Sequence, residues 1–394
     1  ASRDEELFMV ATIGLTGLRP DPTHVSTITS PPYDVIKPGT PLESRLRDEP
    51  DSLFHIILGS QPKQAMDRLA SEGKLVEDDE PAYYVYEQSW GDQSRVGVFV
   101  AAAVTPYEEM QVIRHEKTFD EKVKGRIAMR EATGMHIGPV FVLTRAPIAH
   151  ALHAVTEEAP LYDFTSDFGG TSELEGIRNR IWRVPQESEA GGEIQTALGT
   201  APLYIADGHH RYHASLLNGQ SHFLAYVTEG AVIQAYNRVI NGVVPFSKIR
   251  DNLALEPVDA FKTPDKHRFC IYTKEGTYEL AAEEIPSDVV GRLDCAILER
   301  ELYPQLRPTH DMIADPSHFD YYSESALADM RAVVDRGDYD LAVALHPVSL
   351  DELMAVADAG LENPEIVMPE KSTFFQPKIL SGLFLYRFAK ATAE

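Results

Sequence analysis

Cysteine is almost absent from this sequence, with only Cys270 and Cys295 and no CxxC spacing, which excludes a disulfide framework and a thiolate metal site. Cys270 falls in a strand-like stretch and Cys295 in a helix-like one, so buried reduced thiols are expected. Long apolar runs are also missing. None reaches the roughly 20 residues that span a bilayer, and the amino end, Ala1-Ser2-Arg3-Asp4-Glu5-Glu6, is acidic where a secretory signal is basic. A soluble, cytoplasmic protein without a membrane partner is the expectation. Positive charge is scarce: Lys plus Arg number 36 against 61 Asp plus Glu, a net charge of −25. Such a surface repels nucleic acid phosphates, so no nucleic acid partner is expected.

With 43% hydrophobic and 25% charged residues, and no repeat or low-complexity tract, most of the chain should fold. Its 394 residues exceed one ordinary core and predict two domains. Strand-like and helical stretches alternate, which predicts a mixed α/β fold. Tyr83 to Tyr86 and Val96 to Val104 read as a hairpin turning at Gly91-Asp92-Gln93, and Met110 to Arg114 reads as an extended run. A helix follows over 119–133 and a strand over 138–144. The Gly-rich stretch 165–195 reads as surface connection. Further on come a hairpin turning at 274–276 and helices near 294–303 and 349–358, the last capped by Ser349 with Glu352. The domain boundary is placed near 245, giving 1–245 and 246–394.

The densest chemistry lies at Asp207-Gly208-His209-His210-Arg211. Ala201 to Ala206 is a short apolar strand, Asp207 an N-cap candidate, and 208–217 a helix ended by Asn218-Gly219. First-turn amides and the positive end of the helix dipole point out of such a junction, and Gly208 lacks the side chain that would block a ligand. Arg211 adds a planar fork for two phosphate oxygens, and His209 and His210 carry protons near neutral pH. An anion is the natural guest. His209 and His213 have zinc-ligand spacing, but no glutamate follows the first His as in zincins.

His115-Glu116-Lys117-Thr118 is a second strand-to-helix site, with Thr118 and Glu121 as a capping box. Glu116 between His115 and Lys117 can be tuned as a general base for a hydroxyl nucleophile, and a structural ion pair is its plainer role. Lys122, Arg126 and Arg130 share one helical face, which could grip phosphates or be a solvated stripe paired with carboxylates such as Glu121 and Glu131; the solvated stripe is the expectation. Ser30-Pro31-Pro32-Tyr33-Asp34-Val35 is a rigid turn segment. Met368 to Lys378 is dense with phosphate-capable groups, Lys371, Ser372, Thr373 and Lys378, between prolines.

SPPYDV at 30–35, HEKT at 115–118, ADGHHRY at 206–212, YNRVI at 236–240, LDCAILE at 293–299 and MPEKSTFFQPK at 368–378 together resemble the domain-of-unknown-function 1015 family over essentially the whole chain. The DGHHR box is similar to that of ParB-like proteins, a superfamily including sulfiredoxin and a free-serine kinase. That resemblance implies a ParB/sulfiredoxin-like core with a second α/β domain, and nucleotide-dependent phosphoryl transfer using ATP or ADP with Mg²⁺. It also implies a catalytic set of Glu116, Asp207, His209 and His210. Phosphates would be held by Gly208, Arg211, His115, Lys117, Thr118, Lys371, Ser372, Thr373 and Lys378, and the substrate by Tyr33, Asp34, Asn237 and Arg238. Where the family carries an acidic residue before the arginine of the helix after HEKT, this chain has Gly125 before Arg126, so a metal-binding role for that carboxylate has no residue here. The expected function is a small-molecule hydroxyl kinase, with free serine as a candidate acceptor; the alternatives are a phosphomonoester phosphatase and a non-catalytic nucleotide-binding switch.

Overall fold

The computed structural model describes residues 12–116, 118, 120–369 and 371–389, the side chains of residues 120–122 and 314 excepted. The chain is mixed α/β in two units, one running to Ala231 and resumed at Pro377, the other Val232–Gln376. The division therefore falls before the expected position near 245, and the C-terminal segment returns to the first unit. Its apolar run explains the return. Ile379, Leu380 and Leu383 to Tyr386 are buried, and Leu385–Arg387 pairs between Gly17–Pro20 and Met135–His136.

The first unit is built on a nine-stranded sheet of β1 (Thr12–Ile13), β2 (Ala82–Trp90), β3 (Gln93–Ala103), β4 (Val112–Ile113), β5 (Val140–Thr144), β6 (Tyr162–Thr165), β7 (Arg178–Pro185), β8 (Leu203–Asp207) and β9 (His222–Thr228). The spatial order is β4-β8-β5-β9-β3-β2-β7-β6, with β1 on β3. β2 and β3 are nearly continuous apolar runs because both faces are covered. Tyr83, Val85, Val98 and Val100 face a core shared with Leu152, Ile194 and Tyr212 from three helices, while Tyr86, Phe99 and Tyr226 gather in mutual ring contact. The predicted hairpin is present, turning at Gly91 with φ +53.

Three helices matter here, α1 (Asp120–Thr133), α2 (Glu189–Leu198) and α3 (His209–Leu217). α1 ends at Gly134, whose φ of +69 suits a left-handed stop. The stretch 165–195 is not mere connection: it holds β7 and the start of α2, which Ser188 caps by accepting from the Gly191 amide. Three arginines mask that strand in the sequence, and they are satisfied across it, Arg178 by Asp163, Arg180 by Glu87 and Arg183 by Asp78.

The second unit carries a six-stranded sheet of β10 (Asn237–Ile240), β11 (Leu255–Pro257), β12 (Arg268–Thr273), β13 (Gly276–Ala281), β14 (Phe319–Tyr322) and β15 (Leu341–Leu345), in the order β11-β13-β12-β15-β10-β14. The predicted helices appear as α4 (Asp294–Glu301) and α5 (Leu350–Glu362), the latter with the full Ser349/Glu352 capping box. Cys270 and Cys295 are free and buried, as expected.

Candidate functional site

Two sequence-distant boxes meet because β8 runs parallel to β4, with Leu203 opposite Val112 and Tyr204 opposite Ile113. Past the strand ends the His115 and His209 rings meet. A register shift between Ile205 and Asp207 on the β5 side turns the end of β8 into the site.

Asp207 does not cap α3. It is the last residue of β8, and Gly208 is the N-cap, with φ +98 and no side-chain cap hydrogen bond. The Asp207 carboxylate is taken up instead by Lys378, 3.1 Å away, and by Arg211 at 3.4 Å. Burial opposes its ionisation, but the charges of Lys378 and Arg211 more than offset this and hold the carboxyl well below its usual range. Gly208 also serves a different purpose from the one expected. A Cβ there would lie 3.0 Å from Nε of Arg211, and one on Gly138 would lie 3.3 Å from its Cδ. The two glycines therefore make room for Arg211 to fold back over the helix start. Its guanidinium is 5% exposed and donates to the Pro139 carbonyl at 2.5 Å, so it is an anchored charge rather than an open fork.

The histidines are also sorted by their partners. The amide of His115 donates to Nε2 of His209 at 3.4 Å, which requires a lone pair there and puts the His209 proton on Nδ1. Nδ1 faces Glu116 Oε2 at 3.7 Å. The two rings pack edge to face with centroids 4.5 Å apart. Burial pushes His115 down to about 4 and His209 well below the usual imidazole value, with the neighbouring His115 adding to the effect on His209. Both are neutral at physiological pH, and Nδ1 of His209 faces Glu116, whose side chain stays 28% exposed. His210 is half-buried beside them.

SPPYDV reaches the same place. Tyr33 lies under the guanidinium of Arg126, 3.8 Å from ring centroid to Cζ, and Asp34 is near enough to raise the pKa of Arg211. A narrow cleft with about 10 Å³ of room for a water is lined by Tyr33, Arg126, Arg130, His136, Gly138 and Arg211. The solvated stripe expected of Arg126 and Arg130 is thus corrected. Arg130 is 1% exposed, because α1 packs against α3 along this face, and it donates to Ser215 at 2.7 Å, Gln220 at 2.8 Å and the Arg211 carbonyl at 2.7 Å. A phosphate-gripping face for Arg126 and Arg130 was set behind the solvated one, and His136 was missed as a lining residue; the four-residue spacing of the arginines together with their nearness to HEKT was the available signal.

Among the other expected residues, Thr118 is half-buried just before α1, while Lys117 and the Glu121 side chain of the capping box lie outside the described residues. Lys371, Ser372, Thr373, Asn237 and Arg238 belong to the second unit. There Arg238 is fully buried and donates to the Tyr303 hydroxyl and the Tyr236 carbonyl. Asn237 accepts from the Leu345 amide. Lys371 sits over the Tyr236 ring with φ +58, Ser372 bonds the Pro369 carbonyl, and Thr373 is buried. Lys378 alone of the MPEKSTFFQPK cations lies in the first unit with Asp207.

Among the described residues no cluster of three or more His, Cys, Asp or Glu is arranged to hold a metal ion, and Asp207 is engaged by two cations. Nor, among those residues, is any helix long and apolar enough to cross a membrane.

A family model described as "Protein of unknown function (DUF1015)" matches residues 13–296. No curated protein matches the chain. Among solved structures, a free serine kinase variant in complex with ADP is 11% identical, with TM-score 0.36 over 71% of this chain and 87% of that one. SbnI with a C-terminal truncation from Staphylococcus aureus is 10% identical, with TM-score 0.38 over 73% and 87%. A conserved hypothetical protein from Pyrococcus furiosus is 14% identical, with TM-score 0.35 over 72% and 92%. Likeness this low transfers no chemistry to this chain.

Proposed function

The chain belongs to the DUF1015 family, and on that premise we propose that it is a nucleotide-dependent phosphotransferase acting on the hydroxyl of a small metabolite. One observation carries the reading: at the start of α3 the Glu116 carboxylate, partly open to solvent, lies 3.7 Å from Nδ1 of His209, and the charges of Lys378 and Arg211 converge on Asp207 two residues before that histidine. Phosphoryl transfer asks a protein mainly for positioning and charge neutralisation. The amides of residues 209–211 precede the first intrahelical bond, from the Tyr212 amide to the Gly208 carbonyl, and a helix start of this kind suits phosphate oxygens.

In the reaction, the acceptor hydroxyl oxygen attacks the terminal phosphorus of ATP or ADP. A phosphorus–oxygen bond forms to the acceptor while the bond to the bridging oxygen breaks, its electron pair leaving with the shortened nucleotide. The hydroxyl proton passes to Glu116. Lys378 and Arg211 stabilise the charge on the transferred group, and Asp207 keeps both cations in place. His209 is a positioning residue, because its proton already points at Glu116.

The test is incubation with terminally labelled ATP or ADP and a panel of small hydroxylated metabolites, free serine among them. Label in a phosphorylated metabolite is the expected result. Label found only as inorganic phosphate would make the protein a hydrolase, and nucleotide binding without any transfer would make it a switch.

A further inference from the structure

The arginines beside the junction carry more positive charge than the carboxylates near them offset: Asp34 acts on Arg126 and Arg211 and Asp207 on Arg211, while among the described residues no carboxylate acts on Arg130. Arg130 is 1% exposed, yet its acceptors are a hydroxyl, an amide and a carbonyl, all neutral. Its Nε has no partner. His136, the fourth neighbour, cannot help: its Nδ1 accepts from the Leu224 amide at 3.1 Å, so its proton is on Nε2 and donates to the Gly138 carbonyl at 2.9 Å. The 3.1 Å approach of Arg130 Nη2 to that nitrogen is therefore donor against donor. Arg126 stands over Tyr33, its Cζ 3.8 Å from the ring centroid, and among the described residues has neither an ion pair nor a hydrogen-bond acceptor. Arg211 completes the lining, its charge shared with Asp207. Burial and mutual repulsion push Arg130 down to about 9, and burial lowers Arg126 as well. Crowded cations of this kind cost free energy until an anion joins them.

We propose that the cleft between Tyr33, Arg126, Arg130 and Arg211 is an oxyanion subsite, separate from the Asp207–Lys378 pair, that receives a carboxylate or phosphate group of a small molecule. A guanidinium over a ring can still offer N–H groups to two oxygens of a carboxylate or phosphate. The cleft's interior has room for about one water, so the oxyanion would sit at its mouth, against the partly exposed Arg126. If the phosphotransfer reading holds, the acceptor is an anionic hydroxyl metabolite; the subsite itself does not depend on that reading, and the experiment measures it without turnover.

The experiment is calorimetric titration of the full chain at low ionic strength with sodium acetate and, separately, with inorganic phosphate, on the wild type, Arg126→Gln and the surface control Arg178→Gln. Arg126 is partly exposed and its replacement leaves α1 intact, and circular dichroism checks the fold. The subsite predicts binding of at least one anion, weakened roughly tenfold or more by Arg126→Gln and unchanged by Arg178→Gln. Stronger response to acetate assigns a carboxylate, and stronger response to phosphate assigns a phosphate group. Absence of binding of either anion, or equal binding by Arg126→Gln, overturns the subsite. Anion binding without transfer activity would leave the subsite standing and sink the phosphotransfer reading instead, so the two failures are separable.

Discussion

Acid should loosen the first unit well before its carboxylates titrate, because the junction buries neutral imidazoles. His115 is fully buried and pushed down to about 4, against about 6.5 in the unfolded chain. Between those values the unfolded state binds a proton that the folded state refuses, so stability is complete above about pH 6.5 and falls as the pH falls toward 4. The full separation corresponds to roughly 3 kcal/mol, of which about 2 kcal/mol is lost between pH 7 and pH 5. His136 and His209, also lowered by burial, act in the same direction. Asp207 does not contribute in this window, since its carboxyl is held below its usual range and its share is lost only under stronger acid. His115→Phe keeps an aromatic edge against His209 and cannot titrate. Both tryptophans, Trp90 and Trp182, lie in the first unit, so urea denaturation followed by tryptophan fluorescence reports on that unit. The wild type should lose at least about 2 kcal/mol from pH 7 to pH 5, and His115→Phe should lose about 2 kcal/mol less. Equal losses in the two proteins would refute the buried neutral His115.

Gly208→Ala should destabilise by roughly 1 to 3 kcal/mol, combining a left-handed alanine with displacement of Arg211 from its place over the glycine; unchanged urea midpoint would contradict that packing. Lys378→Met leaves Asp207 with Arg211 alone and should cost about 1 to 3 kcal/mol. A double-mutant cycle with Asp207→Asn should show coupling of about 1 kcal/mol or more, and additive losses would deny the pair an energetic role.

Much of the junction was legible because it is local. The apolar run before Asp207, the glycine and the helical stretch to Leu217 specify a strand-to-helix turn by themselves, and Gly134 marks the end of α1. What the sequence could not display was the pairing of side chains across distance. Asp207 looked like a cap until Lys378, from the returning C-terminal segment, competed for its carboxylate. Arg126 and Arg130 looked solvated because helical spacing gives a face but not its direction; the packing of α1 on α3 decides that. β7 was hidden by its arginines, whose partners Asp163, Glu87 and Asp78 lie on other segments.

The central claim is that Glu116 accepts the proton of a hydroxyl while the junction holds the nucleotide. Glu116→Gln keeps size and hydrogen-bonding shape but removes basicity, so the decisive measurement is label transfer from nucleotide to metabolite by this variant, with nucleotide affinity measured on the same preparation. Transfer should fall roughly 10² to 10⁴-fold with affinity little changed; transfer at the wild-type rate would contradict the account.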